Sequence, residues 1–397
     1  MRTRLVSCLT ACLMTLSATD SFAQTNPAFQ RVWTETRSFY ETTLKEEGVV
    51  GSGLMVLRGD SVLGRDFYGL ADIETSRPVD ANTIFHWASI TKTFTAIAIM
   101  QLRDRGLLTL DDPIVKYVPE LREVSDTFGT IEDVTIRHLL SHSAGFRNPT
   151  WPWGGDKPWH PFEPTRWAQV AAMMPYTEIL FKPGSGFSYS NPGYIFLGRV
   201  IEALSGDDFE VYLEKNVLRP LGMRNSYFDR TPYHLLRHRS NNYTVRNGTP
   251  VANGLDFDTG ITVSNGGLNA PLADMAKYLR FLLNAPENED AANVLKRSTL
   301  EEMWKPQVSG ASQDSPTGSV GLSYFILQQG DVRVIGHTGS QAAFRSFFYL
   351  HPESRSAMIA VFNTDAGGNA PHPSVQSLFT GLLDRFTGRI IPLFGPR

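Results

Sequence analysis

The sequence predicts an α+β fold: one antiparallel sheet flanked by terminal helices, beside a mainly helical lobe, with a cleft between them. Three observations predict it. Strand-like apolar segments lie near both ends of the chain, at Leu54–Leu57 and Val62–Tyr68, then at Leu322–Leu327, Val332–Ile335, Phe344–Leu350 and Ala357–Phe362. Residues from 110 to 310 read mainly as helices with long loops. Helical periodicity brackets the strands from outside, at about 29–46 and about 374–386. The simplest packing joins the terminal strands into a single sheet covered by the first and last helices.

Taken in order, Phe29, Val32, Trp33, Phe39 and Leu44 repeat at helical spacing until Gly48 and Gly51 break the pattern. Arg58-Gly59-Asp60 turns the first strand into the second. A helix is expected from about Ser89 to Arg105, with Ile90, Phe94, Ile97 and Ala98 along one side and Gly106 as its stop. Thr135–Ser141 reads as a short helix. Pro192–Leu204 is clearer, with Ile195, Leu197, Val200, Ile201 and Leu204 apolar and Gly206 ending it; Leu272–Leu283 is another. The late strands are separated by Gly330, Gly336–Gly339 and Pro352-Glu353-Ser354-Arg355. Residues 24–397 are thus expected to form a single catalytic domain, with an α/β lobe at about 24–80 and 311–397 and a helical lobe at about 81–310.

The 397 residues are 42% hydrophobic and 19% charged, as in an ordinary globular chain. A net charge of −3 without runs of like charge offers nothing to nucleic acid, and the expected partner is a small-molecule or peptide substrate. The first 23 residues differ from the rest: Arg2 and Arg4, an apolar Leu5–Ser17, then Ser21-Phe22-Ala23 read as a secretory signal peptide cut after Ala23. A lipidation reading rests on Leu9-Thr10-Ala11-Cys12. The mature protein is expected to be secreted or periplasmic, bacterial, and without a membrane span. Cys8 and Cys12 both lie in this leader, so the mature chain carries no disulfide, thiol nucleophile or cysteine metal site. His138 and His142 are four residues apart, but no carboxylate is placed as a third ligand, so a structural role is expected and no metal or organic cofactor is implied.

Ser89-Ile90-Thr91-Lys92 is the only S-x-x-K in the chain. It puts a hydroxyl and an amine one turn apart. A serine hydroxyl needs a nearby base to act as a nucleophile, and a lysine stripped of water can be neutral and serve as that base. Tyr189-Ser190-Asn191 is the only Y-x-N, and His337-Thr338-Gly339 the only H-x-G, placed at the end of an expected strand. In this order, and separated by about 100 and about 150 residues, the three motifs are far more specific than any one alone.

With these motifs the sequence resembles the serine β-lactamase and penicillin-binding protein superfamily, in its class C-like branch with related esterases, D-aminopeptidases and D,D-carboxypeptidases. Leu139-Leu140-Ser141-His142-Ser143-Ala144-Gly145, Tyr189-Ser190-Asn191-Pro192-Gly193-Tyr194, Gly266-Gly267-Leu268 and Gly336-His337-Thr338-Gly339 support it. The resemblance implies a β-lactamase-like fold and acyl transfer through an acyl-Ser89 intermediate. One position departs from the pattern. β-Lactamases of this branch usually carry lysine where this chain has His337, and a mostly neutral histidine offers little to a β-lactam carboxylate. Small esters, amides or D-amino-acid peptides are therefore favoured. The alternatives are a true β-lactamase or D,D-carboxypeptidase, a non-hydrolytic penicillin-binding sensor, or an acyltransferase.

Each residue then has a role and a plainer reading. Ser89 is the nucleophile, or a helix cap. Lys92 is the neutral base or a partner of Tyr189, which carries the serine proton to the leaving group. Asn191 binds the acyl chain and Lys92, or with Pro192 caps the next helix. His337 binds substrate or tunes Tyr189. The backbone N–H of Ser340, by resemblance, is the second oxyanion donor beside that of Ser89, and Gly339 allows close approach of substrate to the strand. Trp151, Trp153, Trp159 and Trp167 form an aromatic wall over the cleft or a loop packed on itself.

Overall fold

The computed structural model describes residues 26–150, 164–255, 259–309, 318–365 and 375–395. The expected signal peptide and Trp151, Trp153 and Trp159 lie outside these. The first helix, Pro27–Glu46, starts with the Asn26 side chain accepting Phe29 N–H and with proline at its first position. Strands β1 (Gly51–Arg58), β2 (Ser61–Asp72), β3 (Arg77–Pro78) and β4 (Ile84–His86) follow. The middle of the chain holds β5 (Tyr227–Phe228), β6 (Tyr243–Arg246), β7 (Thr249–Ala252) and β8 (Leu268–Pro271). The last part adds β9 (Val308–Ser309), β10 (Ser319–Val320), β11 (Phe325–Gln329), β12 (Val332–Gln341), β13 (Phe344–His351), β14 (Ser356–Phe362) and β15 (Thr364–Asp365).

Nine of these strands form one sheet, in the order β3-β2-β1-β14-β13-β12-β11-β10-β9. The expected union of the chain's two ends is the antiparallel pairing of β1 with β14, from Ser52 opposite Phe362 to Arg58 opposite Ser356. Both strands are apolar almost throughout because both faces are covered. Leu54, Val56, Met358, Ala360 and Phe362 face a core shared with Phe29, Trp33 and Tyr40 of the first helix and Leu378, Phe379 and Leu382 of the last helix, Gln376–Arg385. Met55, Leu57, Ala357, Ile359 and Val361 face the larger core of the helical side, with Phe94, Ile97, Phe196 and Leu279.

Several local expectations are corrected. The strand expected at Leu322–Leu327 is displaced to Phe325–Gln329, because Ser323 turns with a left-handed φ of 75° and its N–H bonds Leu140 O at 2.8 Å. The break expected at Gly336–Gly339 is absent: β12 runs through it, held by pairing with β13 from Ile335–Leu350 to Gln341–Phe344. The helical side also carries two small sheets, β4-β8-β5 and β15-β6-β7, whose strands of two to four residues are too short to show a period in sequence. Among the described residues no helix is long and apolar enough to cross a membrane.

Candidate functional site

Ser89 sits in a single turn of 3-10 helix, Ala88–Ile90, and the α-helix expected from Ser89 begins at Thr91, running to Asp104. The chain is bent here by Ala88, whose φ of 49° is left-handed and carries a cost of about 1–3 kcal/mol for a residue with a Cβ. The bend is pinned from several directions. Trp87 N–H bonds Leu268 O at 2.8 Å, its indole N–H bonds Ala270 O at 2.8 Å, and its carbonyl accepts Ser346 Oγ at 3.1 Å. Gly339 on β12 allows this close approach: a Cβ there would lie 2.3 Å from Trp87 O. The neighbour that needs this glycine is therefore the backbone just before Ser89.

Because the 3-10 turn feeds straight into the helix, Lys92 still lies one turn from Ser89. Its Nζ is 3.1 Å from Ser89 Oγ, 2.8 Å from Asn191 Oδ1 and 2.9 Å from Asn265 O. Lys92 is fully buried, and burial pushes its pKa well below the usual lysine value. Among the described residues it has no carboxylate partner. A neutral amine has two N–H donors and one lone pair. Asn191 Oδ1 and Asn265 O can only accept, so they take the two donors, and the lone pair is left for the Ser89 hydroxyl.

Asn191 is free to do this because the neighbouring residue does the capping. The helix Asn191–Ser205 is capped by Ser190, whose Oγ accepts Gly193 N–H at 3.1 Å, so the plainer reading of Asn191 as the cap does not hold. The Tyr189 ring lies 4.8 Å from Lys92 Nζ, 4.4 Å from the His142 ring and 6.3 Å from the His337 ring. Ser89, Tyr189, Asn191 and Ser340 line one cavity of about 200 Å³, together with Asn148, Phe187, Phe325 and Thr338.

His337 does not line that cavity. It continues the parity of Ile335 on β12, 1% exposed, with Nδ1 2.6 Å from Thr338 O and Nε2 buried without a hydrogen-bond partner. Burial, with Lys92 nearby, lowers its pKa to about 3, so it is neutral at pH 7. His142 is neutral for the same reasons, burial first. It does not share a helical face with His138, as their spacing had suggested. The short helix Ile136–Leu140 ends before it, and His142 itself takes a left-handed φ of 55°. His138 Nδ1 accepts Thr135 N–H at 3.2 Å, a cap. Trp167 bonds Glu120 Oε1 at 2.8 Å and meets Phe196 edge-on, a packing role.

Sequence reasoning missed the Asn265 carbonyl, though Gly266-Gly267-Leu268 just after it had been singled out. Asn148, whose carbonyl accepts Asn191 N–H at 3.1 Å, carries no local signal. Phe325 was hidden by the misplaced strand.

A serine and a buried lysine of lowered pKa at a helix start, facing Tyr189 and Asn191 beside a sheet strand, define the class: the serine β-lactamase and penicillin-binding protein superfamily. The chain belongs to the Beta-lactamase family, whose model matches residues 36–375. Protein flp of Staphylococcus aureus (strain COL) is 25% identical over 326 residues, covering 82% of this chain and 62% of that protein, so the chain spans less than two thirds of that relative's length. The octameric penicillin-binding protein homologue from Pyrococcus abyssi superposes with a TM-score of 0.73 at 28% identity, over 88% of this chain and 77% of that one. EstCE1, a hydrolase with promiscuous acyltransferase activity, shares the fold at a TM-score of 0.75 and 20% identity, over 90% of this chain and 99% of that one.

Proposed function

We propose that this protein is an exported serine hydrolase that cleaves small uncharged esters or amides through an acyl-Ser89 intermediate. The observation that carries this reading is the buried Lys92 amine, bonded by two carbonyl oxygens and, among the described residues, lacking a carboxylate, with Ser89 Oγ at 3.1 Å. In the proposed reaction the Ser89 hydroxyl proton passes to the Lys92 lone pair as Oγ bonds the substrate carbonyl carbon. The oxyanion accepts hydrogen bonds from the backbone N–H groups of Ser89 and Ser340. Tyr189 then gives its phenolic proton to the leaving oxygen or nitrogen as its bond to carbon breaks and takes the proton held on Lys92 in its place, and water attacks the acyl-enzyme in the reverse sense.

The substrate class follows from the lining. Phe187 and Phe325 offer apolar faces, Asn148 and Asn191 neutral amides, and no described lining residue is charged. His337 is buried and neutral, unlike the lysine that would hold a carboxylate. An uncharged acyl group fits better than a β-lactam or a free C-terminal D-peptide. The leader Met1–Ala23 supports export as the setting.

The test is a screen of the purified mature protein against p-nitrophenyl esters, D-alanyl peptides and a chromogenic cephalosporin, beside Ser89→Ala, with intact-mass detection of the acyl adduct. Ester turnover with a transient adduct on Ser89 is expected. Efficient hydrolysis of the cephalosporin alone would overturn the substrate class, and turnover by Ser89→Ala would overturn the mechanism.

A further inference from the structure

His142 grips the chain on both sides of Tyr189. Its backbone carbonyl accepts Ser188 N–H at 2.9 Å, and its ring nitrogen Nδ1 accepts Ser190 N–H at 3.0 Å. Between these two bonds, its ring lies 4.4 Å from the Tyr189 ring, inclined by 30°, and 5.1 Å from that of Tyr194. A single residue thus meets both neighbours of Tyr189, by its backbone on one side and its ring on the other, and the ring also meets the phenol itself.

Two local costs are retained at this position. The backbone is left-handed, which disfavours a residue with a bulky side chain. And because Nδ1 accepts from Ser190, the ring proton belongs on Nε2, which is buried without a hydrogen-bond partner. Glycine would remove both costs, and a leucine would fill the space without an orphaned nitrogen. What only a flat ring with an acceptor at Nδ1 supplies is the bond to Ser190 together with the ring contact on Tyr189.

We propose that His142 is a positioning residue for the reaction, fixing the height and tilt of the Tyr189 phenol relative to Ser89 and Lys92. This rests on the reading of Tyr189 as the proton carrier. His142 touches no reacting atom; it acts through Tyr189. Misplacing a reacting group by about 1 Å costs up to about 100-fold in rate, so holding the phenol has a measurable value.

The experiment compares His142→Gly, His142→Asn, Tyr189→Phe and the double variant His142→Gly/Tyr189→Phe, with p-nitrophenyl butyrate and active enzyme counted by the Ser89 acylation burst. Glycine accepts the left-handed backbone and keeps the bond from Ser188, so the loss is confined to the ring. Asparagine also accepts that backbone and places Oδ1 near the former Nδ1. The expected result is a kcat about 10- to 100-fold lower for His142→Gly with KM within about twofold, and a pH profile shifted relative to wild type. His142→Asn recovers most of the rate, and the double variant is no slower than Tyr189→Phe alone. A His142→Gly enzyme with wild-type kcat per burst site would overturn the proposal, as would a loss that multiplies that of Tyr189→Phe. A slow Tyr189→Phe beside a silent His142→Gly would sink this inference and leave the role of Tyr189 standing; a fully active Tyr189→Phe would sink both.

Discussion

The two faces of the large sheet are packed with different material. Toward the first and last helices, Phe379 meets Phe347 edge-on at 4.9 Å and Phe362 at 5.7 Å, in a layer that is mainly apolar. On the helical side lie Lys92, His86, His142 and His337, all at most 1% exposed. One face gains stability from burial. The other buries ionisable groups that are held neutral, which weakens the fold and prepares chemistry. The difference teaches that the sheet is a partition: changes on one side should move stability alone, and changes on the other should move rate.

The largest expected effect is on the cleft side. Ser89→Ala should lower turnover at least about 1,000-fold while the thermal midpoint stays in place, read by ester kinetics beside calorimetry. Lys92→Met should cost about 100- to 10,000-fold in kcat without weakening the fold. Burial holds the pKa of the native amine well below that of the unfolded lysine, which binds a proton up to about 10.5, so the unfolded chain carries the extra proton just below that pH. Wild-type stability therefore rises with pH toward 10.5, and the methionine variant should lose that slope; urea unfolding at several alkaline pH values measures it.

On the opposite face, Phe379→Ala should remove about 3–5 kcal/mol of stability by leaving a cavity, with turnover per folded molecule unchanged. A large loss of rate per burst site would break the comparison. The smallest effect is a slope in acid. His86 and His337, each with a pKa lowered to about 3 by burial, and His142, also lowered, are neutral in the fold. Below about 6.5 the unfolded chain binds more protons than the folded one, so stability falls as pH falls from about 6.5 toward 3. His337→Asn should remove one proton from that dependence, about 1.4 kcal/mol per pH unit, in urea titrations across this range.

Much of this partition was legible in sequence. The apolar runs at Leu54–Leu57 and Ala357–Phe362 are what two covered faces require, and the serine–lysine spacing survived because a 3-10 turn and an α-helix place residues three apart on the same side. Contacts closed over long distances in the chain were not legible. The Asn265 carbonyl reaches Lys92 across 173 residues, and no local pattern marks an acceptor supplied by backbone. The left-handed turn at Ala88 is set by Trp87 and its partners rather than by alanine's own preference. Gly336–Gly339 looked like a break because glycine usually interrupts strands, but the ladder to β13 overrides that preference. The cap at Ser190 was overlooked because Asn-Pro is itself a good capping pair, and only the three-dimensional demand of Lys92 for an acceptor decides between them.

The pairing of β1 with β14 has a consequence in time. Ser52 meets Phe362 across some three hundred residues of chain, so the sheet's middle cannot close until β14 has been made. The serine and lysine are made early, yet the strand carrying His337 and Ser340 follows more than two hundred residues later. The Ser89 hydroxyl thus acquires its full setting only after β12–β14 have been added.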